Sequence, residues 1–364
     1  MSFGQIEAGA TGNTDAGHVQ NQYIASLRWL THFAIFSLVP LTEEISYSSV
    51  AASAGVSERQ LKTVARMAMT NRVLCEPTPG MIAHTATSAT FVTNPSLHDW
   101  AIFMCEASVP AAAHMVEASK KWPDSSAPNE TAYNVAFDTN LPFFDHLATL
   151  PIRTKQFAGY MKNVTNSEGT AIRHLLNGFN WAGLGTAHVV DVGGSTGNSS
   201  IALAQVFPNL RFTVQDLPGN VTEGAASLAH YESSISSRIE FRNHDFFQPQ
   251  PVIGADVFLL RMILHDWATP EAMKILRNLL PALRGNSRVL IMDTVLPPPG
   301  SLPSTQERML RARDMTMQQV FNSMERDLQD WEALLAMADE RLELVNVVHP
   351  SGSVMSILEV VLRG

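Results

Sequence analysis

Cysteine is nearly absent. Only Cys75 and Cys105 occur in 364 residues, which excludes a disulfide framework and leaves no metal-ligand spacing, so no metal is expected. Basic charge is also short. The 25 lysines and arginines face 34 aspartates and glutamates, a formal net charge of −9, which gives no support for binding nucleic acid or an anionic membrane. No apolar run is long enough to span a bilayer, and the N-terminus lacks a secretory pattern. The sequons at Asn129, Asn163, Asn198 and Asn220 are therefore expected to stay unmodified. These absences read together as a reduced, soluble, cytoplasmic protein. What is present is ample apolar material, 45% hydrophobic residues, in a chain longer than a usual single domain. One large domain with a smaller one is expected.

The chain is organised around Ala187 to Pro218. His188 to Val192 is a short apolar run that reads as a buried strand. Gly193-Gly194-Ser195-Thr196-Gly197 turns it into a helix carrying Ile201, Leu203, Ala204 and Phe207, which Pro208-Asn209 breaks. Arg211 to Gln215 is a second strand, ending on Asp216. The unit is βαβ, with glycines that let backbone N–H groups approach a ligand and an acid placed to hold ribose hydroxyls. The dinucleotide pattern G-x-G-x-x-G fails here, because its three positions hold Gly193, Ser195 and Asn198. Instead an acid, Asp191, leads straight into the glycines, which suits a cationic ligand with an amino group. The turn resembles motif I of the S-adenosylmethionine-dependent methyltransferases. A tight strand-to-helix turn also needs glycine without any ligand, so Asp216 adds weight that the turn alone lacks.

Ahead of this unit, residues 1–20 are rich in Gly, Ala, Thr and Asp without periodicity and are expected to be disordered. Ile24, Leu27, Leu30, Phe33 and Phe36 recur at helical spacing over Tyr23 to Leu38. Helices over Ser46–Ala54 and Glu58–Met69 flank Gly55-Val56-Ser57, and small strands are expected at Arg72–Cys75 and Met81–Ala83. That is a winged helix. With only Arg59, Lys62 and Arg66 on its second helix, packing or dimerisation suits it better than DNA. Helices are expected over Asp99–Lys121 and within Phe137–Met161, where aromatics and methionines including Phe157 and Met161 suit an apolar substrate wall as well as ordinary packing. His114, His146 and His174 on such helices read as structural. The expected regions are 1–20, a winged-helix domain over 21–95, a helical substrate-lining region over 96–178, and a cofactor-binding domain over 179–364.

After the central unit come strands at Arg238–Phe241, Asp256–Leu260 and Arg288–Asp293, with a helix from Thr269-Pro270-Glu271 to Gly285. Alternating strands and helices give an α/β fold, a doubly wound, mostly parallel sheet. Leu342–Val348 and Val354–Leu362 are expected to pair antiparallel at its edge. Ligands bind beyond the carboxyl ends of such strands. Those ends carry Asp191 and Gly193, Asp216, Asp245, Arg261 to Asp266, and Asp293. His265 titrates in the range of a general base near neutral pH, and Asp293 and Glu325 are the carboxylates available to orient it.

Taken together, DVGGSTG, VQDLP, HDFF, LLRMILHDW and MERDLQDW resemble the plant and fungal small-molecule O-methyltransferases from about Tyr23 onward. The resemblance implies a class I methyltransferase fold, S-adenosyl-L-methionine as cofactor, an apolar or aromatic small-molecule substrate and a homodimer. It implies Gly193 and Gly194 at the methionine end, Asp216 followed by Leu217 at the ribose, and Asp245 and Phe246 at the adenine. Arg261 stands where the family often has lysine. His265 matches the base, with Asp293 and Glu325 as flanking acids; Asp266 and Trp267, with Phe157 and Met161, fall to the substrate. Asp293 is one methylene shorter than the glutamate of many plant members. The same scaffold includes fungal enzymes that bind the cofactor yet catalyse pericyclic or dehydration steps; retention of His265 favours methylation. A winged-helix regulator is disfavoured by charge.

Overall fold

The computed structural model describes residues 3–363, with side chains from Gly17 onward. The chain forms two compact units: one up to His114 together with Phe144–Val164, the other Met115–Phe143 together with Thr165 onward. This division cuts across the expected 96–178 region.

In the first unit a helix spans Phe3–His32. The expected disordered lead lies partly outside the described residues; within them the backbone extends the helix expected from Tyr23, since elongating an existing helix avoids the cost of a new nucleus. That helix stops early because Ala34 adopts φ 53°, and Ile35–Leu38 forms a separate turn. Leu27 and Leu30 are buried with Tyr47, Leu61 and Ile82. The helices Tyr47–Ala54 and Glu58–Met69 meet at Gly55, whose φ of 67° is least strained in a residue without Cβ and whose N–H caps the Ala51 and Ala52 carbonyls. Strand β1 (Ile45–Ser46) pairs antiparallel with β2 (Met81–Ile82), and Cys75 bridges to Ala83. The strand expected over Arg72–Cys75 does not form: Arg72 and Leu74 take φ values of 60° and 67°, which breaks the pleat. Two of the three cations on the second helix are paired internally, Lys62 with Glu58 at 2.6 Å and Arg66 with both Glu76 oxygens at 2.9 and 3.0 Å.

The expected Asp99–Lys121 helix is divided. Pro95–Phe103 passes into a π-turn over Met104–Ser108 and then Val109–Ala113. Pro110 has no N–H to donate, and the Val109 N–H reaches the Met104 carbonyl. The expected Phe137–Met161 region is likewise Phe143–Ala148 and Pro151–Thr165, after a helix Ala132–Phe137 that Asp138 ends at φ 47°.

The second unit holds a seven-stranded sheet. The strands of this unit are, in chain order, β3 (Ala187–Val192), β4 (Leu210–Asp216), β5 (Ile239–Asn243), β6 (Val257–Arg261), β7 (Arg288–Asp293), the short β8 (Val295–Leu296) and β9 (Arg326–Asp327), which lie outside the large sheet, then β10 (Leu342–Val348) and β11 (Ser356–Leu362). Spatially the sheet runs β10-β11-β7-β6-β3-β4-β5. β3 to β7 are parallel, while β11 runs antiparallel to both β7 and β10. Only β10 of the expected edge pair is at the edge. β8 and β9 form their own parallel pair. Val190, Phe258, Leu260, Ile291 and Leu358 pack with Ile275, Leu276, Trp331 and Leu335 in one core. The strand order reverses between β3 and β6, so a crevice opens beyond their carboxyl ends.

Candidate active site

Glycine geometry shapes one wall of that crevice. Gly193 turns away from β3 at φ 73°, and the N–H groups of Gly193 and Gly194 both donate to the Gln215 carbonyl, at 2.9 and 3.0 Å. A Cβ on Gly194 would stand 2.6 Å from the Asp191 carboxyl carbon and 2.8 Å from Val214. One on Gly193 would stand 2.6 Å from Ile263. Asp191 itself is buried, and its Oδ2 accepts the Ser200 hydroxyl at 2.7 Å. Burial pushes its carboxyl up to about 6, against the Ser200 hydrogen bond and the Arg261 charge. It therefore buttresses the turn from below; it does not offer an open carboxylate to an amino group.

Asp216 is held ready. Oδ2 accepts the Ser195 N–H at 2.8 Å, and Oδ1 accepts the Leu217 N–H and Asn220 Nδ2, both at 2.7 Å. A carboxylate has about four acceptor sites, so Oδ2 keeps capacity for a ligand hydroxyl. Leu217 contributes its N–H here while its side chain is exposed. Asp245 Oδ1 accepts the Phe247 N–H at 2.9 Å, which fixes the turn carrying Phe246. The Phe246 ring flanks Gly193 and meets Phe247 and Trp267 edge-on, with centroids at 5.1 and 5.8 Å. Arg261 donates from Nη2 to the Thr170 carbonyl at 2.6 Å, and its Nε is buried without a hydrogen-bond partner among the described residues. Burial lowers its pKa, with Asp191 and Asp293 opposing. An orphaned buried donor, a cradle that any Cβ would fill and an aligned carboxylate fit a ligand carrying an amino acid group and a ribose.

The second wall follows β6. Met262 leaves the strand at φ 57° while its N–H bonds the Met292 carbonyl at 3.0 Å, and Leu264–Asp266 closes as a 3₁₀ turn. His265 is 5% exposed. Its Nδ1–H donates to Glu325 Oε1 at 3.1 Å, and Nε2 lies 3.6 Å from Asp266 Oδ1. Burial alone would lower its pKa, but Asp266, Glu325 and Asp293 together outweigh burial and raise it to about 10. Burial raises Asp266 to about 6 and Asp293 to about 7, each opposed by His265. Glu325 is lowered: its burial is outweighed by His265 and Arg313. Of the two expected flanking acids, Glu325 touches the imidazole. Asp293 accepts the Leu264 N–H through Oδ2 at 3.2 Å and so shapes the turn.

Arg326 was not anticipated as a site residue. Its guanidinium donates to the Leu264 and Trp267 carbonyls, both at 2.8 Å, clasping the turn on either side of His265. It follows Glu325 directly in MERD, which was the available signal. Ile263 and Ser200 were also missed, because a packing contact and a hydroxyl beneath a turn leave no spacing pattern. The second unit thus brings together Gly193, Gly194, Asp216, Asp245, Phe246, Arg261, His265, Asp266, Trp267, Asp293 and Glu325. Phe157 and Met161 belong to the first unit, on Pro151–Thr165, where Phe157 packs near Phe103 and Tyr160. Among the described residues no His, Cys, Asp or Glu cluster is arranged to hold a metal, and no helix is long and apolar enough to cross a membrane.

Fold and crevice define a class I S-adenosylmethionine-dependent methyltransferase. Residues 123–339 match the O-methyltransferase domain family, and the chain belongs to it. It is 51% identical to O-methyltransferase VdtC of Byssochlamys spectabilis over 345 residues, 94% of this chain and 80% of the relative. It is also 51% identical to O-methyltransferase pgmB of Aspergillus terreus, over 93% of this chain and 96% of that one. Among solved structures, OxaC in complex with S-adenosylhomocysteine and oxaline matches with a TM-score of 0.79 and 25% identity, covering 96% of this chain and 87% of that one. A pericyclic reaction enzyme matches with the same TM-score and identity, covering 96% and 89%. The protein is an S-adenosylmethionine-dependent O-methyltransferase.

Proposed function

We propose that His265 is the general base toward a hydroxyl of an apolar, aromatic acceptor, and that Glu325 orients it. The observation that carries this is the buried Nδ1–H···Oε1 bond at 3.1 Å, which fixes the ring and leaves Nε2 as the reactive nitrogen. When bound, the cofactor supplies an electrophilic methyl group on a sulfonium. Gly193, Gly194, Asp216 with the Leu217 backbone, Asp245, Phe246 and Arg261 are the residues that would hold it. Nε2 takes the hydroxyl proton as the oxygen becomes nucleophilic, and Glu325 balances the charge of the resulting imidazolium. Asp266, 3.6 Å from Nε2, accepts a second hydrogen bond from the acceptor or the ring. Trp267, beside it, offers an apolar surface to the acceptor. Asp293 and Arg326 hold the turn so that Nε2 does not drift.

General-base help is typically worth about 10²–10⁴ in rate. His265→Ala is expected to lower kcat by that factor and leave the affinity for S-adenosylhomocysteine unchanged, measured by calorimetry beside methyl-transfer assays. Full activity in this variant would overturn the assignment. An acceptor converted to an isomer of unchanged mass, with no S-adenosylhomocysteine formed, would point instead to pericyclic chemistry. The resemblance also implies a homodimer, and the half-exposed Tyr23, Ile24 and Phe33 of the first unit offer apolar surface for a second copy.

A further inference from the structure

Arg313 has no part in the mechanism above. It lies on the helix Ser304–Phe321, and its Nε stands 3.6 Å from Glu325 Oε1, the same oxygen that receives the His265 Nδ1–H. Its side chain is 19% exposed, and among the described residues no hydrogen bond reaches its two terminal nitrogens. The same charge acts on Asp266, on Glu325 and on Arg261, so Arg313 lies within electrostatic reach of all three. A guanidinium carries five donors in a planar fork. An apolar ring that covers this fork without answering it leaves buried donors unmade, which is costly. A ring that brings an oxygen gains a charged hydrogen bond.

We propose that Arg313 determines specificity by reading a second oxygen on the acceptor: a carbonyl, carboxylate or phenolic oxygen adjacent to the hydroxyl that His265 deprotonates. The inference rests on His265 as the base. His265 and Arg313 both reach one Glu325 oxygen, which places both within the span of one fused aromatic acceptor. The preferred acceptors are therefore phenols with an ortho or peri oxygen function. Isolated phenols lack the group that answers the fork.

The test compares two hydroxyacetonaphthone isomers, one with the hydroxyl adjacent to the acetyl group and one with it remote. Wild type is expected to favour the adjacent isomer in kcat/KM by roughly 10- to 100-fold, the range for one hydrogen bond to a charged group. Arg313→Gln is expected to bring that ratio close to one, and Arg313→Lys, which keeps the charge without the fork, to an intermediate value. Arg311→Gln, two residues earlier on the helix and paired with Glu307, should leave the ratio as in wild type. A wild-type ratio near one, or an Arg313→Gln enzyme that keeps the wild-type ratio, overturns the proposal. The wild-type ratio decides even where Arg313→Gln fails to bind S-adenosylhomocysteine. Methylation of α-naphthol in the same assay shows that the base assignment stands independently; α-naphthol turnover with neither isomer methylated also overturns the role of Arg313. No methylated product from any of the three removes the underlying reading instead.

Discussion

The carboxylates around His265 make its proton the property of the site. An imidazole must be neutral to accept a proton, and here three acids outweigh burial and raise its pKa to about 10. kcat/KM for a neutral hydroxyl acceptor should therefore rise with pH, with an inflection above the ordinary 6.5 and toward 10. Glu325→Gln removes one of the raising charges, so its inflection should move to lower pH while kcat falls; an unmoved inflection would mean another group titrates. Stability follows the same shift with its own sign. The folded pKa lies above the unfolded one, so the stabilisation from charged His265 is complete below about pH 6.5 and fades as pH climbs through about 10. The difference in Tm between wild type and His265→Gln should narrow over that interval. At Asp216, three protein donors already occupy the carboxylate, so Asp216→Ala disturbs the Ser195 turn as well as the ribose contact. Affinity for S-adenosylhomocysteine should drop by about 1.5–3 kcal/mol in calorimetry. His265 and Asp216 drew notice because they follow parallel strands, and Glu325 because it was one of the carboxylates available to an imidazole; the structure brings Glu325 against His265. Arg326 and Arg313 drew none, because their partners are backbone carbonyls and a carboxylate brought near only by folding.

At the scale of elements, the turns carry the site and the strands only aim them. Gly194 is the tightest of these positions, with Asp191 and Val214 both inside 3.0 Å of a prospective Cβ. Gly194→Ala should force that turn open, costing about 1–3 kcal/mol of stability from overpacking and a larger share of cofactor affinity, read by thermal melts with and without S-adenosylhomocysteine. Arg326→Met removes two charge-assisted bonds from the His265 turn, each about 1.5–3 kcal/mol. It should lower kcat far more than cofactor affinity; equal losses would mean the whole unit had loosened. Most strands were readable from short apolar runs between turn residues, and the parallel order followed from their alternation with helices. Helix continuity was not readable. Apolar spacing runs unbroken across Ala34, whose left-handed backbone no side-chain pattern announces. In Asp99–Lys121 the interruption belongs to the hydrogen-bond ladder around Pro110, and periodicity is blind to that ladder.

For the whole molecule, a net charge of −9 and the internal pairing of Lys62 and Arg66 leave the helix Glu58–Met69 little to offer a phosphate backbone. A gel-shift titration with duplex DNA should show no complex at physiological salt. Sedimentation at micromolar concentration should report a dimer, and a monomer there would remove that proposal. The position of β11 has a consequence for how the enzyme is made. This strand is the last of the sheet to leave the ribosome, yet it lies between β10 and β7, with Ser356 beside Asp293. Until it arrives, β7 presents a bare edge, of the kind that recruits chaperones or foreign strands. Asp293 meanwhile lacks its neighbour, and the turn that holds the base has one side missing. Nascent chains stalled before β11 should therefore be protease-sensitive and unable to methylate, so that catalytic competence appears only when translation through that strand is finished.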